Sequence, residues 1–510
     1  MSRPAAASHL SPALVAHVPT GLLVDGHWGP AAGGATFEVE DPATEESLFD
    51  VADGGREDAL RALDAAHRAA PAWRATPPRE RAEVLRAVYE RLVARADDVA
   101  ALITAECGKP RAEARAEVLY GADFLRWYAE QAVRAEGLVR TAPAGGNRQL
   151  VHRRPVGPAL LVTPWNFPIA MATRKIGPAL AAGCPVVIKP ARLTPLTTAL
   201  VAEVIRSELA DRGLPTGVVN LVPSSRASEI SEPLMADPRL RKLSFTGSTA
   251  VGRTLLQGAA QQVLRTSMEL GGNAPFVVFD DADLDAAVEG AVVAKLRNAG
   301  QSCVAANRFL VQDGVAREFA RRLADAFSEL RVGPGFEDGV RVGPLIEAKA
   351  VDGVAELVDA AVDGGAQVLI GAERVRDVGH FYAPTVLSGV DPDARVVTEE
   401  IFGPVAPVVA FGERRGHRAR ERHRVRARGV RVHEVARPGG ARLGGGRGGH
   451  DRRQPRHGLR RERALRRRQA VRAGPRGRRG GPRGVPGDRV RRALRARPGG
   501  RQEGRQGVRW

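Results

Sequence analysis

The stretch "SFTGSTAVGRTLLQGAAQQVLRTSMELGGNAPFVVFDDADLDAAVEGAVVAKLRNAGQSC" (residues 244–303) passes twice from a short apolar run into a longer amphipathic one. The first apolar run ends at Gly247, and "STAVGRTLLQGAA" then repeats apolar positions at steps of three and four. The second, "APFVVF", leads into "DLDAAVEGAVVAKLRNAG" in the same way. Runs of the first kind read as buried strands and those of the second as helices. Strand and helix in succession predict right-handed βαβ units and a parallel sheet.

The same texture extends outward. Upstream, "ALLVTPW", "PVVIKPA" and "GVVNLVP" read as strands around the helix "TPLTTALVAEVIRSELADRG", which stops at a Gly. Residues 55–135 read as helices, and residues 1–20 as a flexible leader too poor in positive charge and apolar length for a signal peptide. Downstream, "RFLVQDGVAREFARRLADAFSEL" and "APTVL" continue the alternation. The fold class is α/β, with two lobes, 21–265 and 266–412, joined near 265–272 by a cleft of the sort that binds ligands. No run reaches the 18 apolar residues of a membrane span. Cys107, Cys184 and Cys303 form no CxxC pair, which suits a reducing cytoplasm.

Four short motifs carry candidate chemistry. "SFTGSTAVG" turns from strand into helix through Gly247 and Ser248, offering free N–H groups to a phosphate or making a plain connection. "MELGGNAP" sets Glu269 at a strand end, as a partly buried general base or as a salt-bridged turn carboxylate. "RNAGQSCVAANRF" places Cys303 among small and polar residues, 34 positions after Glu269, where a thiol serves better as a nucleophile than as core filling. In "TPWNFPIAMATRK", Asn166 is either an oxyanion donor or an ordinary turn residue.

Together "TPWNFP", "FTGSTAVG", "MELGGNAP", "GQSCVAANR" and "EEIFGPV" resemble, in order and spacing, the NAD(P)-dependent aldehyde dehydrogenases over roughly residues 20–412. The resemblance implies a Rossmann-like cofactor domain over 21–265 and a catalytic domain over 266–412. It makes Cys303 the nucleophile, Asn166 and the Cys303 N–H the oxyanion donors, and Glu269 the base that activates the hydrolytic water. It assigns Trp165, Lys189, Gly247, Ser248, Leu270, Glu400 and Phe402 to the cofactor, with no metal. Arg192 stands where many NAD-preferring members carry Glu, so a 2′-phosphate and hence NADP is favoured over NAD. Arg174 and Arg297 occupy positions that in succinate-semialdehyde dehydrogenases hold the distal carboxylate of the aldehyde. Ala305 replaces the second Cys of a redox switch, so none is expected. A homodimer or homotetramer is implied where the family's ending is intact.

The ending is not. The chain carries a formal charge of +19, but residues 411–510 hold 34 Arg against 7 acidic residues, leaving 43 basic and 51 acidic before them. After Gly412 there is no Lys, Ser, Thr, Asn, Ile or Tyr, an omission foreign to ordinary disordered arms. With suitable codons, Glu421–Arg437 and Leu465–Gly474 read from the second base give "NDTEYGLVAYVFTKSLD" and "FGGVKQSGLG", both resembling the family's continuation. We therefore expect a frameshift near Gly412–Glu413, followed by a disordered Arg/Gly-rich segment over 413–510. Trp510 is the only aromatic residue after 412, so stacking on bases is not provided for, and no evolved nucleic-acid partner is expected.

Overall fold

The computed structural model describes residues 9–412 and 430–432. The expected disorder and displaced frame after 412 fall outside the described residues, apart from one three-residue strand. Residues 1–8 of the expected leader lie outside the described residues; within the rest, helix α1 (Pro12–His17) stands where a flexible segment was expected, with Leu10, Leu14 and Val18 recurring every four residues and all buried in the core. Strands β1 (Leu22–Val24) and β2 (His27–Gly29) follow as a hairpin, with Asp25 and Gly26 at φ 53° and 82°. Asp-Gly is the pair that tolerates a turn with two positive φ angles. Strands β3 (Thr36–Asp41) and β4 (Glu46–Ala52) pair by themselves.

The expected helical region is α2 (Arg56–Ala75), α3 (Pro78–Ala94), α4 (Ala96–Cys107) and α5 (Arg111–Ala132). A hairpin of β5 (Leu138–Thr141) and β6 (Arg148–Val151) follows, exposed along its whole length. Then the alternation begins: β7 (Ala159–Val162), α6 (Pro168–Ala181), β8 (Val186–Lys189), α7 (Leu196–Asp211), β9 (Val219–Leu221), α8 (Ala227–Ala236), β10 (Lys242–Gly247), α9 (Thr249–Gln261) and β11 (Arg265–Leu270). These strands lie in the order β11-β10-β7-β8-β9-β1-β2. The five βα strands are parallel, and β1 joins β9 antiparallel.

A second sheet takes over after Leu270. It uses β12 (Ala274–Val278), β13 (Ala306–Gln312), β14 (Gln367–Ile370), β15 (Thr385–Ser388), β16 (Val405–Phe411) and β17 (Val430–Val432), in the order β14-β15-β16-β13-β12-β17. Helices α10 (Leu284–Leu296), α11 (Asp313–Ser328), α12 (Ala348–Asp363) and α13 (Arg395–Thr398) belong to this half. The sheet is parallel except for β14. Both sheets are thus mixed rather than purely parallel, because each carries an antiparallel strand or hairpin at one edge, as large doubly wound sheets often do. Each half has its own core, around Leu161, Ile176 and Ile188 in the first and Phe276, Phe309 and Phe319 in the second. No helix among the described residues is long and apolar enough to cross a membrane.

Candidate active site

Strand β7 ends at Val162, and the chain turns through Trp165 and Asn166 before Pro168 opens α6. Pro at the first helical position needs no N–H partner there and fixes φ for the turn. Asn166 is buried and tied on both sides. Its Nδ2 donates to the Gln301 carbonyl at 3.0 Å, and its own carbonyl accepts from Lys109 Nζ at 2.8 Å and Asn298 Nδ2 at 3.0 Å. The Trp165 carbonyl accepts from Thr194 Oγ1 at 3.1 Å, and its ring meets Phe402 edge-on at 5.5 Å.

Cys303 follows a 3₁₀ turn, Arg297–Gly300, in which Asn298, Ala299 and Gly300 have φ of 54°, 52° and 78°. Three successive left-handed residues, two of them with side chains, are a strained arrangement that the surrounding bonds must hold. They do: the Asn298 N–H donates to Glu113 at 2.8 Å, and Gln301 Oε1 accepts from the Ile346 N–H at 2.9 Å. A Cβ on Gly300 would collide with the Gly403 carbonyl, so the turn lies flush against the segment after Phe402. The turn delivers Cys303 exposed, whereas Cys107 and Cys184 are buried. Desolvation raises the Cys303 pKa, the Arg174 charge opposes this, and Glu269 and Glu400 add to it.

Glu269 lies in β11 opposite Thr246 of β10 and is exposed, in place of the partial burial expected from the sequence. It occupies an edge strand, with β10 on one side and no further strand of the first sheet beyond it. Its charge reaches the buried Lys175, whose Nζ donates to Ser244 Oγ at 3.1 Å. Burial pushes the Lys175 pKa down to about 8, with Glu269 acting against the shift.

Of the residues assigned to a dinucleotide, Lys189, Gly247 and Leu270 end β8, β10 and β11 of the first sheet, Trp165 and Ser248 follow β7 and β10, and Glu400 and Phe402 come from the segment before β16. Gly247 ends β10, and a Cβ there would stand 2.6 Å from the Phe245 ring. Ser248 caps α9, its Oγ accepting from the Val251 N–H at 3.3 Å. Lys189 closes β8, buried, with its pKa pushed down to about 8 by desolvation. Leu270 pairs with Gly247, and a Cβ on Gly271 would strike the Glu400 carboxylate, which accepts from the Gly272 N–H at 3.4 Å. Phe402 has φ 50°. An open helix N-terminus, glycines that let backbone approach, a buried cation and a carboxylate beyond them fit the phosphates and riboses of a dinucleotide. Arg192 is half-exposed, and its guanidinium lies 3.5 Å from Glu347. Among the described residues no cluster of His, Cys, Asp or Glu gathers to hold a metal ion.

Arg174 and Arg297 come together although 123 positions apart in the chain. Both guanidiniums sit 5.9 Å from the centre of the Tyr120 ring; Arg174 also lies over Phe124 at 4.8 Å and Arg297 over Phe167 at 4.9 Å. Arg174 also donates to Tyr120 Oη, and its buried Nε has no acceptor.

Sequence reading missed Lys109, Glu113, Glu117, Lys175, Lys295, Asn298 and Gln301. Glu117 shares the buried face of α5 with Ala114, Val118, Gly121 and Leu125. A carboxylate in that apolar phase was the legible signal. Lys295 sits likewise in the last turn of α10, buried, with its pKa pushed down to about 7 by burial and held up by Glu400.

A sequence profile of the aldehyde dehydrogenase family matches residues 28–415. The chain is 56% identical over 364 residues to the succinate-semialdehyde dehydrogenase of Paenarthrobacter nicotinovorans, covering 71% of this chain and 80% of the relative. It is 47% identical over 390 residues to the NADP(+) succinate-semialdehyde dehydrogenase GabD of Escherichia coli, covering 76% and 80%. Among solved structures, an aldehyde dehydrogenase from Brucella melitensis biovar abortus aligns with a TM-score of 0.80 at 45% identity, over 83% of this chain and 86% of that one. The succinate-semialdehyde dehydrogenase from Burkholderia pseudomallei aligns at 0.77 and 45% identity, over 81% and 84%.

Proposed function

The chain belongs to the aldehyde dehydrogenase family of NAD(P)-dependent enzymes, and on that premise we propose that it oxidises an aldehyde with a distal carboxylate, succinate semialdehyde foremost. The observation that carries this substrate is the meeting of Arg174 and Arg297 at the Tyr120 ring. Two guanidiniums on aromatic faces form no ion pair among the described residues and suit a planar carboxylate. The names of the relatives in Paenarthrobacter nicotinovorans and Escherichia coli support the same choice.

In this reading Cys303 Sγ attacks the aldehyde carbon, and its own N–H with Asn166 Nδ2 carries the oxyanion of the thiohemiacetal. The dinucleotide, held by Trp165, Lys189, Gly247, Ser248, Leu270, Glu400 and Phe402, supplies the hydride acceptor when bound. Glu269 takes a proton from the water that cleaves the Cys303 thioester, releasing the acid and the thiol. Residues 21–265 supply most of the dinucleotide contacts and 266–412 the nucleophile, with Leu270, Glu400 and Phe402 reaching the dinucleotide and Asn166 the reacting carbonyl from the other domain. NADP is the preferred form, with Arg192 leaving its exposed Glu347 partner for a 2′-phosphate, since such exposed pairs contribute only about 0–1 kcal/mol.

Residues from about Glu413 we read as the family's remaining sequence in a displaced frame, with a strand of the catalytic lobe, part of the substrate tunnel and the assembly strand lost from this chain. Sequencing the coding region across residue 412 tests that directly. The function, which is that of the protein in the restored frame, is tested on that product by kcat/KM for succinic semialdehyde against hexanal. The acid aldehyde is expected to lead by about 100-fold, and Arg174→Ala or Arg297→Ala to remove at least about tenfold of that lead. A clear preference for hexanal would sink the two-arginine reading.

A further inference from the structure

Behind Asn166 stands a buried ion pair that reaches its surroundings from two sides. Lys109, in the turn between α4 and α5, and Glu117, on α5, form an ion pair of 2.5 Å with both side chains almost fully buried. Lys109 Nζ gives a second bond, at 2.8 Å, to the Asn166 carbonyl, and lies 4.3 Å over the Phe167 ring. The other oxygen of Glu117 accepts from the Ile169 and Ala170 N–H groups, each at 3.2 Å, in the first turn of α6. One ion pair therefore fixes the carbonyl of residue 166 from one side and the helix that follows it from the other.

We propose that Lys109 and Glu117 are positioning residues that aim the Asn166 amide at the carbonyl oxygen of the reacting substrate. The proposal rests on the reading of Asn166 as an oxyanion donor. A buried ion pair is a poor source of net stability, since apolar residues of similar size commonly do as well. Here its four polar contacts all end on the backbone of residues 166–170 or within the pair itself. Preorganised donors are effective because they need not reorient during the reaction. The rotamer of Asn166 depends on where its backbone sits, and that backbone is set by the pair. Glu113, one turn earlier on α5, takes the Asn298 N–H, so the same helix also braces the loop that delivers Cys303.

Two reactions of Cys303 separate positioning from general damage. In acylation by 4-nitrophenyl acetate the thiolate sulfur bonds to the carbonyl carbon, the π pair moves to oxygen as an oxyanion, and its collapse expels 4-nitrophenolate. In alkylation by iodoacetamide the sulfur bonds to the methylene carbon as iodide leaves, and no oxyanion forms. Both rates are measured on the full chain, with Cys303→Ser as the blank; Cys107 and Cys184 are buried. The ratio of acylation to alkylation in the parent should exceed that of Asn166→Ala by about 100-fold. A parent ratio no higher than that of Asn166→Ala would remove the oxyanion reading itself, and the proposal with it.

Given that difference, Glu117→Gln and the neutral double variant Lys109→Met/Glu117→Gln should lower the ratio about tenfold, a loss between none and that of the whole donor. Alkylation should stay within about twofold of the parent, since it needs no oxyanion donor. In an Asn166→Ala background the same changes should have no further effect on the ratio, as expected for residues acting through one another. The double variant leaves no lone buried charge, and so carries the test where the single one does not fold. Equal losses in both reactions, effects additive with Asn166→Ala, an unchanged ratio, or failure of both variants to fold would each overturn the proposal and assign the pair to stability alone.

Discussion

Strands β7 and β10 lie side by side in the first sheet, and each ends in a turn that starts a helix, yet the two helix N-termini are built in opposite ways. At α6 the first amides are taken by the protein's own carboxylate, Glu117, and the buried Asn166 is cross-linked to the α4–α5 turn and the Cys303 loop. At α9 the turn is Gly247–Ser248, with one N–H capped by Ser248 and the cap itself exposed. A helix N-terminus attracts anions wherever it occurs. Which of the two is free for a phosphate is decided by where the chain has placed a buried acid. The filled end holds geometry, and the open end is left to the proposed phosphate.

The largest effect should come from unpairing the filled end. Lys109→Met leaves Glu117 buried without its cation, and removing one partner of such a pair costs about 3–5 kcal/mol. Urea unfolding of the variant against the parent measures it, and the double variant with Glu117→Gln should recover most of the loss. A single-variant loss under about 1 kcal/mol would mean that this end is not a buried charged mount.

Closing the open end is the converse experiment. Ser248→Asp keeps an efficient cap but puts a carboxylate where the dinucleotide phosphates are proposed to lie. Dinucleotide binding, followed by quenching of tryptophan fluorescence, should weaken by about 100-fold, equivalent to about 2.7 kcal/mol, while the unfolding midpoint stays put. Unchanged affinity would place the phosphates elsewhere.

Lys175 joins the two elements, since it rises from α6 and donates to Ser244 of β10. Its folded pKa of about 8 lies below the ordinary lysine value of 10.5, so the folded state resists protonating it. Between those values the unfolded chain binds more protons, and stability from this group rises with pH. From pH 7 to 9.5 the gain is about 2 kcal/mol at about 1.4 kcal/mol per pH unit of differential binding. Lys175→Met should flatten the stability profile by that amount; an identical slope in parent and variant would show that the lysine is hydrated in the folded state.

The open end was legible in the sequence and the filled end was not. "FTGSTAVG" announces a strand, a glycine turn and a capped helix within eight adjacent residues, because its parts are local. The mount depends on Lys109 and Glu117 meeting residues more than fifty positions away, and no local period reports that. The helices and most strands follow from patterning and spacing. The Asp25-Gly26 hairpin and the packed residues 10–18 were passed over, being too short for a periodicity to stand out. The left-handed run at Asn298–Gly300 had no sequence signal beyond one glycine, since strain there is held by tertiary bonds.

Cofactor choice sharpens the open side further. Arg192 is half-exposed and shares its charge with Glu347. Arg192→Ala should lower kcat/KM for NADP about tenfold, or about 1.4 kcal/mol, and leave NAD within about twofold. Glu347→Gln should move the ratio the other way by removing the competing carboxylate. A constant NADP-to-NAD ratio across both variants would mean that Arg192 does not face the adenosine ribose.

The smallest effect tests whether the open end is structurally as well as chemically spare. Ser248 contributes one bond of 3.3 Å to the Val251 N–H, and the cap is exposed, so water can replace the hydroxyl when it is lost. Replacing a Ser cap by Ala typically costs about 0.5–2 kcal/mol, and the exposed site puts Ser248→Ala at the lower end. The Glu117 carboxylate at the α6 end accepts two N–H groups that are closed off from water, where replacement is not available. Glu117→Ala removes two such bonds and also leaves the buried Lys109 without its anion, so it should cost several times more than Ser248→Ala when both are measured by urea unfolding at one pH. Equal losses would mean that neither burial nor the ion pair distinguishes the two turns, and the division between a holding end and a binding end would lose its energetic basis.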